Sequence, residues 1–406
     1  MAKIISDNSF VPNGNDKALQ LNALANKYKK EGKKIINATV GMLTDEEGHL
    51  ARFDIVDEIG RNSIDEVFKV YGPVNGGVKL NESIKKWLFE NTNIDKVYYH
   101  VIASMGGTGA LALSIRNYAN NDQEVLVPSI RWPNYNAIIK QAQKQFAEYE
   151  LFDECNNFNI ASLKEKVNES CNKHNRAFVI INDPCQNPTG YTLSLKEWKE
   201  ILSFLKEKSL NNKIVLLDDI AYINYNNVTP YNEVFNLMMD HLSDNFMIHL
   251  SFSASKTLSI YGYRGGALVG LSSSEDNINE FKKSCEGTAR AIWSCPNAVA
   301  TNIMAETFAT NDNRNYINSK LEEYTTLIKE RAEIFLKEAS EVNLSCYPYR
   351  GGFFILIPCE NNSDIVDKLI EKNIFVSPMC NAIRISISAI TKDQIKGLAK
   401  IIKETI

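Results

Sequence analysis

The sequence lacks the features of a membrane or nucleic-acid-binding protein. No apolar run approaches the roughly 18 residues of a membrane span, and the opening MAKIISDNSF has no signal-peptide core. The formal net charge of −4 gives no reason to expect the strongly basic face that nucleic acid requires. We therefore expect a cytoplasmic protein whose partners are small molecules.

Metal-binding and disulfide patterns are also missing. The eight cysteines include no CxxC pair, and the five histidines show no HExxH or similar spacing. This dispersion argues against a zinc site, catalytic metal or disulfide framework, and favours reduced thiols. The sequence therefore predicts chemistry that does not depend on a metal.

What is present is a strand–helix alternation between residues 97 and 272. Helical patterns such as SLKEKVNESCN and SLKEWKEILSFLKEKSL, each with a serine N-cap, separate short β-branched or aromatic runs. Such alternation predicts an α/β fold, with a largely parallel sheet covered by helices on both faces. The predicted strands are VYYHVIAS, EVLVPS, FAEYELF, RAFVIIND, KIVLLDD, FMIHLSF and GGALVGLS.

The chain of 406 residues is too long for one compact core, and its pattern changes after residue 297. A long amphipathic helix, three short strands and a final helix, TKDQIKGLAKIIKETI, predict a smaller α+β unit. We expect a large domain over 49–300 and a small one over 301–406. The segment 1–48, with its helix DKALQLNALANKYKKEG, is expected to pack with the small domain.

Ligands of open α/β sheets bind beyond the carboxyl ends of the strands, where several motifs fall here. Gly106, Gly107 and Thr108 follow VYYHVIAS, so they form either a phosphate site at a helix N-terminus or a plain tight turn. Trp132 follows EVLVPS and either stacks on a planar ring or packs under a loop.

Two further strand ends carry polar residues. Asn187 stands in the turn NPTG, where proline and glycine are explained by backbone geometry and the asparagine amide can donate to a ligand. Asp219 ends the strand KIVLLDD, three residues before Tyr222, and a carboxylate there is either paired or solvated.

Lys256 follows FMIHLSF among small residues, and Arg264 comes eight residues later. A lysine confined in a pocket has a lowered pKa and can form a Schiff base. The arginine suits a phosphate ester, and a distant aspartate suits a protonated pyridine nitrogen. With a tryptophan for the ring, these stretches supply a partner for each part of pyridoxal 5′-phosphate.

At this point the chain resembles the fold-type I, class I aminotransferases, and within them the aspartate and aromatic aminotransferase group. The matches span residues 37–388 in the family's order. They are NATVGMLTDEEG, YGPVNGG, MGGTGAL, WPNY, NPTG, DDIAY, SFSASKTLSIYGYRGG, ARAIWSCP and AIRISIS. The resemblance implies the three-layer fold of pyridoxal-phosphate transferases and a homodimer with shared active sites.

The resemblance also implies roles for residues around the cofactor. Lys256 would be the Schiff-base lysine and proton carrier, and Asp219 would hold the pyridinium proton. Asn187 and Tyr222 would bond to the phenolic oxygen of the ring, on which Trp132 would stack. The phosphate would be held by Gly106, Gly107, Thr108, Ser253 and Arg264, with Tyr71 reaching it from the other subunit.

For the substrate, the resemblance implies two arginines. Arg384 would bind the α-carboxylate, with Gly41 and Phe354 in the same pocket and Asn187 and Trp132 beside it. Arg290 matches the arginine that crosses the dimer interface to bind a distal carboxylate, or else it is a surface arginine on its helix. In the group's aromatic enzymes this arginine swings aside, so aromatic substrates stay open.

The chain departs from the family's pattern at four places near the cofactor. Gly106 replaces a common serine, and Cys295 replaces an asparagine. Tyr135 and Asn182 replace histidines that often support the aspartate at the ring nitrogen. We therefore expect the surroundings of Asp219 to differ from those in the family.

The expected activity is transfer of an amino group between an aspartate-like or aromatic L-amino acid and a 2-oxo acid, with glutamate and 2-oxoglutarate as the shared pair. Transfer would proceed by a ping-pong reaction through the Lys256 Schiff base. Alternatives are a C–S β-lyase of the same fold, a non-catalytic regulator that binds pyridoxal phosphate, and a dehydrogenase with a GGTG loop. Arg290 disfavours the lyase, and Lys256 with Arg264 disfavours the dehydrogenase.

Overall fold

A computed structural model describes residues 4–6, 9–11 and 16–406. The strands in this part of the chain are β1 (Ile36–Asn37), β2 (Tyr98–Met105), β3 (Glu124–Pro128), β4 (Gln145–Tyr149), β5 (Arg176–Ile181), β6 (Lys213–Asp219), β7 (Phe246–Ser253), β8 (Gly265–Ser272), β9 (Phe354–Pro358), β10 (Ile374–Phe375), β11 (Ser377–Met379) and β12 (Ala382–Ser386).

The helices of the same part are α1 (Lys17–Lys30), α2 (Asp54–Glu66), α3 (Gly77–Leu88), α4 (Gly106–Tyr118), α5 (Asn134–Gln141), α6 (Ile160–His174), α7 (Leu195–Lys208), α8 (Tyr231–His241), α9 (Ala254–Thr257), α10 (Glu275–Ile292), α11 (Ala298–Ala309), α12 (Asn311–Glu341), α13 (Asn362–Glu371), α14 (Lys392–Ile395) and α15 (Leu398–Thr405). No helix of these described residues is long and apolar enough to cross a bilayer.

All seven predicted strands belong to one sheet, in the order β2-β8-β7-β6-β5-β3-β4. The five strands from β7 to β4 run parallel, as predicted, whereas β8 is antiparallel to both of its neighbours. Because β8 runs against β7, the turn before β8 lies at the same edge of the sheet as the carboxyl ends of the parallel strands. The motifs that follow these strands therefore meet at one edge.

The side chains of the central strands alternate between two buried clusters, one on each face of the sheet. Val215 and Leu217 of β6 pack with α4, α5 and α10, and Ile214 and Leu216 pack with α6, α7 and α8. This alternation follows from the two-residue period of a strand. The result is the predicted three-layer α/β fold, with helices on both faces.

The C-terminal part contains the antiparallel sheet β11-β12-β9, beside which α12 and α13 pack. The N-terminal segment joins it, since β1 pairs in parallel with β10 and the Tyr28 ring contacts the Phe375 ring at 5.5 Å. Helix α11 spans the predicted boundary at residue 300 and packs on α2 and α3. The exact division into 1–48, 49–300 and 301–406 stays a prediction.

Two local expectations were wrong. Ser162 lies inside α6, and the N-cap is Asn159, whose side chain accepts the Ser162 N–H. The single final helix is divided into α14 and α15 at Gly397, which has a left-handed φ of 81°. Its N–H donates to Glu338 Oε1 of α12 at 2.7 Å, a contact that an unbroken helix would not make.

Candidate active site

The strand ends enclose a cavity of about 480 Å³. It is lined by twelve of the residues predicted for the site, from both the sheet and the C-terminal part. These are Gly41, Gly107, Thr108, Trp132, Asn187, Asp219, Tyr222, Ser253, Lys256, Arg264, Phe354 and Arg384. Gly106, the first residue of α4, precedes Gly107 in the chain and is not part of this lining.

Lys256 lies in the short helix α9, immediately after β7, and its amine extends into the cavity. Its backbone is fixed by Tyr225, whose hydroxyl donates to the Lys256 carbonyl at 2.8 Å. Burial, and then the cations Arg264 and Arg384, lower the pKa of Lys256 to about 8. The unprotonated amine, which is the form that attacks a carbonyl carbon, is therefore far more available near neutral pH than for an ordinary lysine.

Asp219 lies in the cavity wall at the end of β6. Tyr135, one of the departures from the family pattern, donates from its buried hydroxyl to Asp219 Oδ2 at 2.6 Å. Asn182, which also replaces a common histidine, donates from Nδ2 to the Asp219 carbonyl at 2.7 Å. Burial raises the pKa of Asp219 to about 6, while Tyr135 and Lys256 act in the opposite direction. Both replacements therefore support the aspartate.

An anion cradle occupies another wall of the cavity. The N-terminus of α4 supplies backbone N–H groups at Gly107 and Thr108 and the positive end of a helix dipole. A Cβ added at Gly106 would lie 2.8 Å from Arg264 Nη2, so the glycine lets the guanidinium approach the helix. Gly106 also has a left-handed φ of 67°, a conformation that favours glycine over serine.

The cavity also contains a buried arginine from β12. Arg384 donates from Nη1 to Asn187 Oδ1 at 2.9 Å and from Nη2 to the Thr39 carbonyl at 2.8 Å, and it lies 4.1 Å above the Phe354 ring. Its Nε has no hydrogen-bond partner within the described residues. A buried cation with an unused donor favours an anion such as a carboxylate.

Tight packing also explains Gly41. A Cβ at this position would lie 2.3 Å from Phe354 Cζ, so only glycine fits beside the ring that supports Arg384.

Asn187 and Tyr222 supply hydrogen-bonding groups to the same cavity. The Asn187 side-chain oxygen already accepts from the Arg384 guanidinium, which leaves the amide nitrogen as the end that can donate to a ring oxygen. Burial raises the pKa of the Tyr222 hydroxyl well above its ordinary value.

Besides Gly106, two predicted residues do not line the cavity of this chain. Tyr71 is 93% exposed in the loop between α2 and α3, and Arg290 is exposed on α10, where it donates to Ser294 Oγ. Both were expected to act across a dimer interface, which a single chain does not show. Their roles therefore stay a prediction.

The structure adds residues that the sequence did not suggest. Ser255 lines the anion cradle and accepts a hydrogen bond from Arg264 at 3.4 Å. The Lys256 amine lies 5.8 Å from the Tyr261 ring, whose hydroxyl accepts from Leu43 N. Asp16 and Leu19, at the start of α1, line the mouth of the cavity. Ser255 adjoins the lysine in sequence, but no local pattern indicates the other three.

Comparison with known proteins agrees with this geometry. A family model described as aminotransferase class I and II matches residues 33–402. The chain belongs to this family. An aminotransferase structure from Anaerococcus prevotii is 31% identical, covers 99% of both chains and has a TM-score of 0.92.

Two further relatives are more distant. An aspartate aminotransferase of Pseudomonas aeruginosa is 29% identical over 69% of both chains. An aromatic-amino-acid aminotransferase from Burkholderia pseudomallei, covalently bound to pyridoxal phosphate in its structure, covers 100% of both chains with 21% identity and a TM-score of 0.82. At 21% identity, the similarity to the Burkholderia pseudomallei structure is evidence for the fold alone.

The chain is therefore a pyridoxal-phosphate-dependent aminotransferase of fold type I. The cavity fits this cofactor because it combines an amine of lowered pKa, an anion cradle formed by the N-terminus of α4 and Arg264, and a carboxylate in its wall. The buried Arg384 guanidinium places a second cation in the same cavity, as the carboxylate of an amino-acid substrate requires.

Proposed function

We propose that this aminotransferase exchanges an amino group between aspartate or an aromatic L-amino acid and a 2-oxo acid, with glutamate and 2-oxoglutarate as the shared pair. The observation that carries the proposal is the buried Arg384 guanidinium, which lines the same cavity as Lys256. The names of the aspartate and aromatic relatives support the two substrate classes.

Bound pyridoxal phosphate supplies a ring that withdraws electrons from the substrate Cα. Asp219 would hold the proton on the ring nitrogen, and Tyr222 and Asn187 would donate to the phenolic oxygen. The α4 N-terminus, Ser253 and Arg264 would hold the phosphate, and Trp132 would support the ring.

At the substrate end, Arg384 binds the α-carboxylate as a fork, which places Cα near the Lys256 amine. With its pKa lowered to about 8, this amine can take the proton from Cα and return it one atom away. Phe354 and Trp132 supply apolar walls on either side of this position.

The working unit in this proposal is a cytoplasmic homodimer in which Tyr71 and Arg290 serve the partner's site. Support comes from exposed apolar side chains near both residues, namely Phe68, Val70, Val78 and Ile292, which a second copy would cover. The eight free cysteines suit a reducing compartment.

Arg290→Ala tests the substrate assignment. With the purified holoenzyme, kcat/KM for aspartate and glutamate should fall about 10- to 100-fold, because a charge-assisted bond to the distal carboxylate is lost. The values for phenylalanine and tyrosine should change little. Single-turnover loss of the cofactor's visible absorbance measures each reaction.

Lys283→Ala, which removes another exposed cation of α10, is the matched control. An equal fall for all four amino acids, or no fall for any, would exclude Arg290 as the distal-carboxylate clamp. In the unaltered enzyme, comparable reaction with both classes would establish a dual pocket, and reaction with dicarboxylates alone would establish an aspartate enzyme.

A further inference from the structure

The loop that carries Tyr71 is tied to the helix that carries Arg290. Asn75 Nδ2 donates to Glu286 Oε1 of α10 at 2.7 Å, while Asn75 Oδ1 accepts the Gly77 N–H at 2.9 Å. The Asn75 carbonyl accepts the N–H of Ala103 in edge strand β2 at 3.0 Å. One asparagine thus joins the loop, the sheet and α10.

The shape of this loop is restricted. Gly76 has a φ of 89°, and a Cβ there would lie 2.4 Å from Leu80 Cδ2 and 2.8 Å from the Ala103 methyl. The loop therefore rests directly on β2 in a conformation that requires glycine. Tyr71 and Asn75 are four residues apart along it, so anchoring Asn75 limits where Tyr71 can lie.

Glu286 is one helical turn before Arg290, on the same face of α10. A glutamate four residues before an arginine is the favourable order for an ion pair on a helix. Here, however, the Glu286 carboxylate binds the Asn75 amide, and Arg290 donates to Ser294 instead. Asn75 therefore holds the carboxylate that would otherwise compete for the Arg290 guanidinium.

Two other ionisable groups adjoin Glu286. His100 Nε2 lies 3.7 Å from Glu286 Oε1, but burial first and Lys282 next lower the pKa of His100, so it is neutral near pH 7. Lys282 lies one turn before Glu286 on the exposed face of α10. The Glu286 carboxylate is therefore held by the Asn75 amide, whose 2.7 Å hydrogen bond is shorter than the 3.7 Å separation from His100.

We propose that Asn75 is a positioning residue for the partner subunit's active site. Through Glu286 it fixes the Tyr71 loop against α10 and keeps Arg290 available to a distal carboxylate. This inference rests on the proposed function, in which Tyr71 and Arg290 act across the dimer interface.

The test compares Asn75→Ala, Asn75→Asp, Glu286→Gln and the double variant Asn75→Ala/Glu286→Ala as holoenzymes. In Asn75→Ala the freed carboxylate pairs with Arg290, so KM for aspartate and glutamate should rise about tenfold, with KM for phenylalanine within about twofold. Pyridoxal phosphate should also dissociate more readily, because the Tyr71 loop is released.

The other variants separate positioning from general damage. Asn75→Asp keeps the acceptor for the Gly77 N–H but repels Glu286, so it should show the same selective defect even if the alanine variant folds poorly. Glu286→Gln keeps the acceptor oxygen and should remain close to the unaltered enzyme. The double variant should recover part of the aspartate KM, since no carboxylate remains to occupy Arg290.

Glu280→Ala, an exposed glutamate of the same helix, controls for loss of charge. If Asn75→Ala and Asn75→Asp affect all substrates equally or none, while Arg290→Ala is selective, this inference alone is overturned. If Arg290→Ala is itself unselective, the proposed function fails and the inference with it.

Action across the interface has its own readout. A hybrid dimer of an Asn75→Ala chain and a Lys256→Ala chain has one intact lysine, and that site receives an unaltered Tyr71 loop and Arg290 from its partner. Its KM for aspartate should return to the normal value. A KM that stays high would place the effect within one subunit and overturn the proposal.

Discussion

At the residue scale, the support of Asp219 shows how different side chains can meet one electrostatic need. The sequence suggested a weakened environment because Tyr135 and Asn182 stand where histidines are common. In the structure the Tyr135 hydroxyl and the Asn182 amide both bond to Asp219. A phenol near an ionised carboxylate stays a donor over the whole neutral range, since burial raises the pKa of Tyr135 well above its ordinary value.

This support predicts a pH-dependent defect in Tyr135→Phe. In the proposed site Asp219 binds the protonated ring nitrogen as a carboxylate, so cofactor affinity should weaken as pH falls through its pKa of about 6 in the apoprotein. Loss of the phenol hydrogen bond raises that pKa. The weakening should then begin at a higher pH, and affinity at pH 8 should drop about tenfold.

Titration of the apoprotein with pyridoxal phosphate between pH 5 and 8 measures both effects. Tyr149→Phe is the matched control, because it removes another buried hydroxyl, which donates to the Ile180 carbonyl and not to Asp219. Identical pH profiles for Tyr135→Phe and the unaltered protein would contradict the prediction.

Residues of the site differ in how far the sequence reveals them. Lys256 and Asp219 follow apolar strands, so strand periodicity alone places them at one edge of a parallel sheet. Leu19 reaches the same cavity from α1, which is positioned by packing against strands more than 340 residues away in the chain. Such docking leaves no signal in local sequence.

At the element scale, helix starts depend on which side chain the backbone can reach. Ser194 was expected as the N-cap of α7, and it forms a reciprocal capping box with Glu197. Ser162 is also a serine that precedes an apolar helical pattern. Its own N–H, however, donates to Asn159 Oδ1, so the helix already begins before Ser162. Likewise, apolar periodicity continues through Gly397, and only the distant Glu338 shows why the helix divides there.

The capping box predicts a modest and local stability loss. Ser194→Ala leaves the Glu197 N–H without its side-chain acceptor, so the free energy of unfolding should fall by about 1 kcal/mol. Urea unfolding of the holoenzyme measures this loss. Lys199→Ala, at an exposed position of α7, should have almost no effect, and an equally small effect of Ser194→Ala would show that the cap is energetically unimportant.

At the scale of the whole molecule, β6 separates the carboxylate that lines the cavity from a carboxylate buried in the core. Its last two residues are adjacent, so their side chains point to opposite faces of the sheet. Asp219 faces the cavity. Asp218 instead accepts from the Tyr231 hydroxyl at 2.8 Å and the Asp183 N–H at 3.3 Å, and the Asp183 carboxyl accepts from Trp198 Nε1 at 3.0 Å.

Burial of Asp183 and Asp218 makes the folding stability of the protein depend on pH. It raises the pKa of Asp183 to about 7, and burial followed by the charge of Asp183 raises that of Asp218 well above its ordinary value. Above pH 4 the unfolded chain releases these protons while the folded protein retains them. The pair's contribution to stability therefore falls as pH rises from about 4 towards and beyond 7.

Asp218→Asn should flatten this dependence, because the amide keeps an oxygen for the Asp183 N–H but cannot ionise. Urea midpoints at pH 5 should be similar for the two proteins, since a protonated carboxyl resembles an amide. At pH 8 the variant should be more stable by on the order of 2 kcal/mol. Asp240→Asn, an exposed aspartate of α8, controls for charge, and parallel curves for Asp218→Asn and the unaltered protein would show that Asp218 does not retain its proton.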